Sequence, residues 1–139
     1  MLQFLSHAHS GLRYLILALL IYVIVRGLWA LIAKQIYTKL DKLSALVLLA
    51  LVHTQLILGF VLYFLSPKVV FSELTMKISA IRFLTVEHPL MMIVAIVLIT
   101  IGYSKAKKSQ VSEKHKTIVI YYGIALALII AAIPWSLLA

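Results

Sequence analysis

The 139-residue chain has no cysteine, four acidic residues, three prolines and five glycines. Without cysteine there is no disulfide framework, no thiolate metal site, no iron–sulfur cluster and no Cys-x-x-Cys-His attachment for covalent haem. The shortage of acids belongs to a wider shortage of charge. Charged residues are 12% of the chain and apolar ones 64%, with a mean hydropathy of +1.11, whereas charged residues make up about a quarter of an ordinary soluble domain. A soluble fold is excluded, and at this length so is a catalytic domain standing beside the membrane spans.

What the chain does have is long uncharged runs. Residues 43–67 and 117–139, 25 and 23 residues, carry no Asp, Glu, Lys or Arg, and each can cross a hydrocarbon core of about 30 Å. The pattern predicts an all-α, single-domain, integral membrane four-helix bundle, up-down-up-down, with spans at about 12–33, 43–65, 83–103 and 118–138. Pro67 ends the second span, and the charged but partly apolar segment 68–82 reads as a short interfacial piece between helices 2 and 3. Residues 29–42 read as an interfacial continuation of the first span, with Arg26 marking its inner edge. No positive n-region or cleavage site precedes the first span, which is expected to be retained.

The formal charge of +9 reads as topology rather than as a nucleic-acid footprint. Eight lysines (34, 39, 42, 105, 107, 108, 114 and 116) flank the connections between spans one and two and between three and four, against Lys68, Lys77 and Arg82 in the other connection. The lysine-rich side is expected to be cytoplasmic, in a bacterial inner membrane, with both termini outside.

Ionisable residues at membrane depth are the default functional candidates. His9 precedes Arg26 by 17 residues and His88 precedes Lys105 by 17, so each lies roughly 26 Å from its inner edge at 1.5 Å per residue. Two imidazoles at one level on diagonal helices, facing an apolar core, suit the axial positions of a b-type haem. Arg13, four residues after His9 on the same helix face, and Arg82, at the outer start of span three, suit its propionates. His53 lies 11 residues from Lys42, roughly 16 Å in and nearer mid-bilayer; it is a further ligand, an interhelical hydrogen-bonding group or a residue with a proton or substrate role. The plainer alternatives are structural roles for His9 and His88, an interfacial His7, a rim ion pair between Arg82 and Glu87, a solvated His115, and packing roles for Met91 and Met92.

The strings His9-Ser10-Gly11-Leu12-Arg13-Tyr14, His53-Thr54-Gln55-Leu56-Ile57-Leu58-Gly59 and Arg82-Phe83-Leu84-Thr85-Val86-Glu87-His88 resemble those of a family of small bacterial four-helix membrane proteins labelled cytochrome b-like. The likeness extends over nearly the whole chain, including Phe64-Leu65-Ser66-Pro67, Ile101-Gly102-Tyr103-Ser104-Lys105 and Ala132-Ile133-Pro134-Trp135. More distantly, Gln55 to Gly59 and the Arg82-to-His88 spacing are similar to one half of haem A synthase, a resemblance that implies ligand roles for His9 and His88 and a haem b pocket. The chain departs from that enzyme in having one bundle, an offset helix order and Ser10 after His9, so oxidation of a haem methyl group is not implied.

The resulting expectation is a membrane haem b protein for electron transfer in or beside a respiratory chain, not a stand-alone enzyme, with no catalytic residues of its own. Its expected partners are the lipid bilayer and quinol or a respiratory complex, with a homo-oligomer also open to it and no nucleic acid. Two rivals stand beside it: a cofactor-free accessory or assembly subunit, and a small metal-ion handler using His9 and His88 with His7. Small multidrug exporters match the length but depend on a carboxylate in the first span, and residues 12–33 contain none.

Overall fold

The computed structural model describes residues 2–65 and 77–133. Four helices in it are long and apolar enough to cross a membrane, and together they form a helical bundle. The order is α1 (Leu2–Ala33), α2 (Lys39–Leu65), a one-turn α3 (Ser79–Arg82), a π-helical turn (Phe83–Glu87), α4 (His88–Lys108) and α5 (Val111–Ala132). Helix α1 packs on α2 and α5, and α4 packs on α5 and α2. The helices therefore run round the bundle as α1, α2, α4, α5, with α1 diagonal to α4.

The helices extend past the expected spans, and local chemistry gives the reasons. Helix α1 starts ten residues before position 12 because Ser6 to Gly11 contains no helix-breaking proline, and one glycine costs only about 1 kcal/mol. It stops where Lys34 adopts a left-handed φ of 55° and the Gln35 amide donates back to the Ala30 carbonyl at 2.8 Å, the Schellman arrangement of a helix end. Residues 29–33 are thus α1 itself rather than a separate interfacial piece. Helix α2 starts at Lys39 because Thr38 and Asp41 form a capping box: the Asp41 amide donates to Thr38 Oγ1 at 3.2 Å, and the Thr38 amide donates to Asp41 Oδ2 at 2.8 Å. Helix α4 runs on to Lys108, gathering Lys105, Lys107 and Lys108 in its last turn, where cations suit the negative end of the helix dipole. Of the expected interfacial segment, residues 68–76 lie outside the described residues, as do Pro67 and the end of the fourth span beyond 133.

Apolar residues surround every helix, so burial comes from small residues at the centre and large ones between layers. Ala45, Ala95 and Ala125 are fully buried, and Leu20, Leu48, Ile99, Ile118 and Tyr122 fill the space between them. Ile32, Phe64 and Ile57 point outward, 82%, 75% and 65% exposed, which costs nothing against lipid tails. Across the bundle the Tyr122 hydroxyl donates to the Ala45 carbonyl at 3.4 Å. Helices α4 and α5 approach so closely at Gly102 that a Cβ there would meet Tyr121 Cβ at 2.5 Å.

At the lysine-rich end, α1, α2 and α5 are pinned together. Arg26 Nε and Nη2 donate to Asp41 Oδ1 and Oδ2 at 2.9 and 3.3 Å, while Thr38 Oγ1 donates to Oδ2 at 3.0 Å. Arg26 is therefore a paired residue of the fold. His115 of α5 is buried beside them, its Nε2 3.8 Å from Asp41 Oδ2 and its ring edge-on to Tyr37 at 5.1 Å; it is not the solvated linker residue that its lysine-rich surroundings suggest. Burial, with the Asp41 carboxylate nearby, pushes the Tyr37 hydroxyl up to about 12, so it keeps its proton at any physiological pH.

Two stability predictions follow from these contacts. Asp41→Ala strands a largely buried guanidinium and removes a helix cap, and is expected to cost roughly 3 kcal/mol; Asp41→Asn keeps the cap and should cost less, both read as thermal unfolding in detergent. Lys34→Gly relieves a left-handed side-chain residue and is expected to stabilise by up to about 1 kcal/mol in the same assay.

Candidate functional site

At the opposite end of the bundle the two histidines singled out by depth come together. Their ring centroids are 6.5 Å apart with planes at 80°, His9 from α1 and His88 from the diagonal α4. The turn before His88 sets its direction. In the π-helical turn the His88 amide donates to the Phe83 carbonyl, five residues back, one residue more than an α-turn holds. Pro89 follows and has no N–H, so it withdraws the bond that residue 89 would make to the carbonyl of Thr85, four residues earlier. The Tyr63 hydroxyl of α2 donates to that carbonyl at 2.8 Å. Phe83 lies 6.1 Å from the His88 ring.

His88 Nδ1 lies 2.6 Å from the Ala132 carbonyl in the last turn of α5, one of the carbonyls a helix end leaves without an intrahelical partner. A carbonyl only accepts, so Nδ1 carries the proton and donates. The Nε2 lone pair is then left for a ligand, the orientation that metal-bound histidines commonly obtain from a second hydrogen bond. His9 is half-buried, and its Nδ1 has no hydrogen-bond partner among the described residues. Gly59 of α2 faces it: a Cβ at 59 would lie 3.4 Å from His9 Cε1, so the glycine leaves the imidazole the room that a larger side chain would take.

The two rings can share one metal ion. An imidazole–metal bond is about 2 Å long, so a metal held between two imidazoles puts the ring centres roughly 6 Å apart, close to the observed 6.5 Å. A third ligand is another matter, because among the described residues no group of three or more His, Cys, Asp or Glu side chains could hold an ion. A metal held by these two imidazoles would need its other ligands from outside the described residues.

The remaining candidates separate. Arg82 Nε is 2.6 Å from Glu87 Oε1, both side chains about 40% exposed, at 39% and 42%, so the pair is the rim contact of modest worth considered from sequence. Arg13 has no such acid among the described residues; its guanidinium carbon sits 5.1 Å over the Tyr14 ring. His53 is exposed on the bundle surface and 3.1 Å from Thr100 Oγ1. Because the Thr100 hydroxyl spends its one hydrogen on the Ile96 carbonyl at 2.7 Å, it accepts here, and His53 donates from Nε2. His53 is thus an interhelical link between α2 and α4. His7 is exposed, and Met92 packs against the core.

Gln55, one turn before Gly59 in the string that carries the resemblance to haem A synthase, also stands at the site. Its Nε2 donates to the His9 carbonyl at 2.7 Å, tying α2 to α1 beside the imidazole. Sequence reasoning missed the Arg26–Asp41–His115 corner, for which the Thr38-x-x-Asp41 capping signature was the cue.

Comparison of the chain with protein-family models, with curated proteins and with solved structures finds no match. The likeness to cytochrome b-like proteins therefore rests on the quoted strings alone. His53→Leu leaves Thr100 bonded to its own helix and removes one interhelical hydrogen bond, so it is expected to cost no more than about 1 kcal/mol in thermal unfolding.

Proposed function

We propose that the chain is an integral membrane haem b protein, with His9 and His88 as axial ligands, that carries electrons in or beside a respiratory chain. The observation that carries this reading is the facing pair of imidazoles, 6.5 Å apart on diagonal helices, one of them locked by Ala132 in the tautomer that leaves Nε2 for a metal. The residue strings shared with cytochrome b-like proteins support it. Bound haem would supply reversible one-electron chemistry. His9 and His88 would hold the group through neutral imidazole nitrogens, with apolar side chains of α1, α2, α4 and α5 around it and cationic side chains where its charge changes. His53 is left out of the ligand set, since its Nε2 is engaged with Thr100.

The lysine distribution supports an orientation with the lysine-rich end in the cytoplasm and the His9–His88 end outward, in a bacterial inner membrane. A carrier so placed takes or gives electrons near the outer surface, with quinol or a larger respiratory assembly as the counterpart. One observation favours the rival of a cofactor-free accessory subunit: the T-shaped ring contact of His9 with His88 is itself a stable packing arrangement.

A reduced-minus-oxidised visible spectrum of the protein purified in mild detergent after haem-supplemented expression separates the two. The haem reading expects a b-type α-band that is lost in both His9→Ala and His88→Ala and kept in His53→Ala. A folded protein with no such band despite haem supply leaves the accessory reading in place.

A further inference from the structure

Three arginines occur in the chain, and the structure treats them differently. Arg26 is bonded to Asp41 and Arg82 to Glu87. The other acid among the described residues, Glu113, lies in the first turn of α5, at the lysine-rich end. Arg13 is thus left without a carboxylate among the described residues, although it sits well inside α1, one turn after His9.

Its surroundings are short of partners in a consistent way. Among the described residues four buried side-chain polar atoms have no hydrogen bond: His115 Nε2 at the lysine-rich end, and Arg13 Nε, Gln55 Oε1 and His9 Nδ1 at this one. The latter three belong to one corner. His9 and Arg13 are one turn apart on the same face of α1, and Gln55 of α2 donates to the His9 carbonyl at 2.7 Å, the carbonyl that the Arg13 amide reaches within the α-helix. The amide assignment of Gln55 is fixed by this contact, because a carbonyl needs the NH₂ end against it. The Gln55 oxygen is thereby turned away from the carbonyl. A buried guanidinium N–H left unpaired in apolar surroundings is costly; a buried polar set of this kind is what a ligand satisfies.

We propose that Arg13, with Gln55 beside it, forms a binding site for an anionic oxygen, carboxylate or phosphate, at the outer corner between α1 and α2. Arg13 supplies the charge-assisted bond, for which guanidinium is the best-matched side chain. Gln55 accepts from any O–H on the same group or from a water bound with it. Two sources offer the oxygen: a propionate of haem held between His9 and His88, or the phosphate of a lipid headgroup at the outer leaflet. The first source rests on the haem reading and the second does not. Either way the assignment narrows the two arginines offered by sequence to one, since Arg82 is already engaged by Glu87.

The test uses the full chain in maltoside detergent, which contains no phosphate. Iron protoporphyrin IX and its dimethyl ester, in which both propionates are blocked, are titrated by visible absorbance. If a propionate is the ligand, the free acid binds at least about tenfold tighter than the ester, the size of one charge-assisted bond. Arg13→Gln brings that ratio near one while keeping the axial-ligand spectrum, and Arg82→Gln leaves it unchanged. Thermal unfolding with and without added phosphatidylglycerol forms the second arm: an upward shift lost in Arg13→Gln and kept in Arg82→Gln, with an acid-to-ester ratio of one, assigns the oxygen to lipid. If neither porphyrin binds, the haem reading fails and the lipid arm alone decides. An Arg13→Gln protein that matches the parent in both arms, or an Arg82→Gln protein that shows the losses instead, overturns the proposal.

Discussion

Inside hydrocarbon a polar atom can bond only to the protein around it, and this constraint governs nearly every non-apolar contact in the bundle. With apolar residues on all sides of each helix, the hydrophobic effect gives little reason for one helix face to meet another rather than lipid. Polar atoms supply that preference. Arg26 needs Asp41, which fixes α1 against the start of α2. The Thr85 carbonyl takes the hydroxyl of Tyr63, which fixes α2 against the turn before α4. The end carbonyl of α5 takes the imidazole of His88, and Gln55 reaches the backbone of α1. Van der Waals packing at Gly102 and the central alanines then follows the register these bonds set.

Much of this was open to a reading of the sequence because hydropathy acts over twenty residues at a time, and a run such as 43–67 has one structural outcome. The depth match of His9 and His88 was legible for a related reason: helical rise is constant, so counting from a charged edge measures height. One of the two edges, Arg26, is also ion-paired with Asp41, and the height counted from it for His9 agrees with the contact observed. What could not be counted was rotation about the helix axes and pairing across the bundle. Whether His115 faces water or Asp41 depends on where α5 turns relative to α2, and lysines on both sides in sequence, Lys114 and Lys116, gave the wrong impression of its surroundings. His53 shows the same limit, since its pairing with Thr100 joins residues 47 positions apart.

The two ends of the bundle differ in how completely their polar atoms are used, and that difference separates scaffold from site. At the lysine-rich end the Asp41 carboxylate accepts from Arg26 twice and from Thr38 twice, and the charges of carboxylate and guanidinium cancel. That ion pair is bonded within itself, while His115 Nε2 beside it has no hydrogen-bond partner among the described residues and lines a small cavity of about 10 Å³. At the other end the bonds that are made all serve to aim: a π-turn and a proline direct His88, Ala132 fixes its tautomer, and Gln55 braces the backbone of His9. The atoms so aimed, His9 Nδ1 and Arg13 Nε, end without partners among the described residues. A fold selected only for stability gains nothing from orienting buried polar atoms and then leaving them unbonded, because each costs on the order of 1–3 kcal/mol. A bound group that completed those bonds would offset the cost, which is why the proposed ligands are a metal for the imidazoles and an anionic oxygen for the guanidinium.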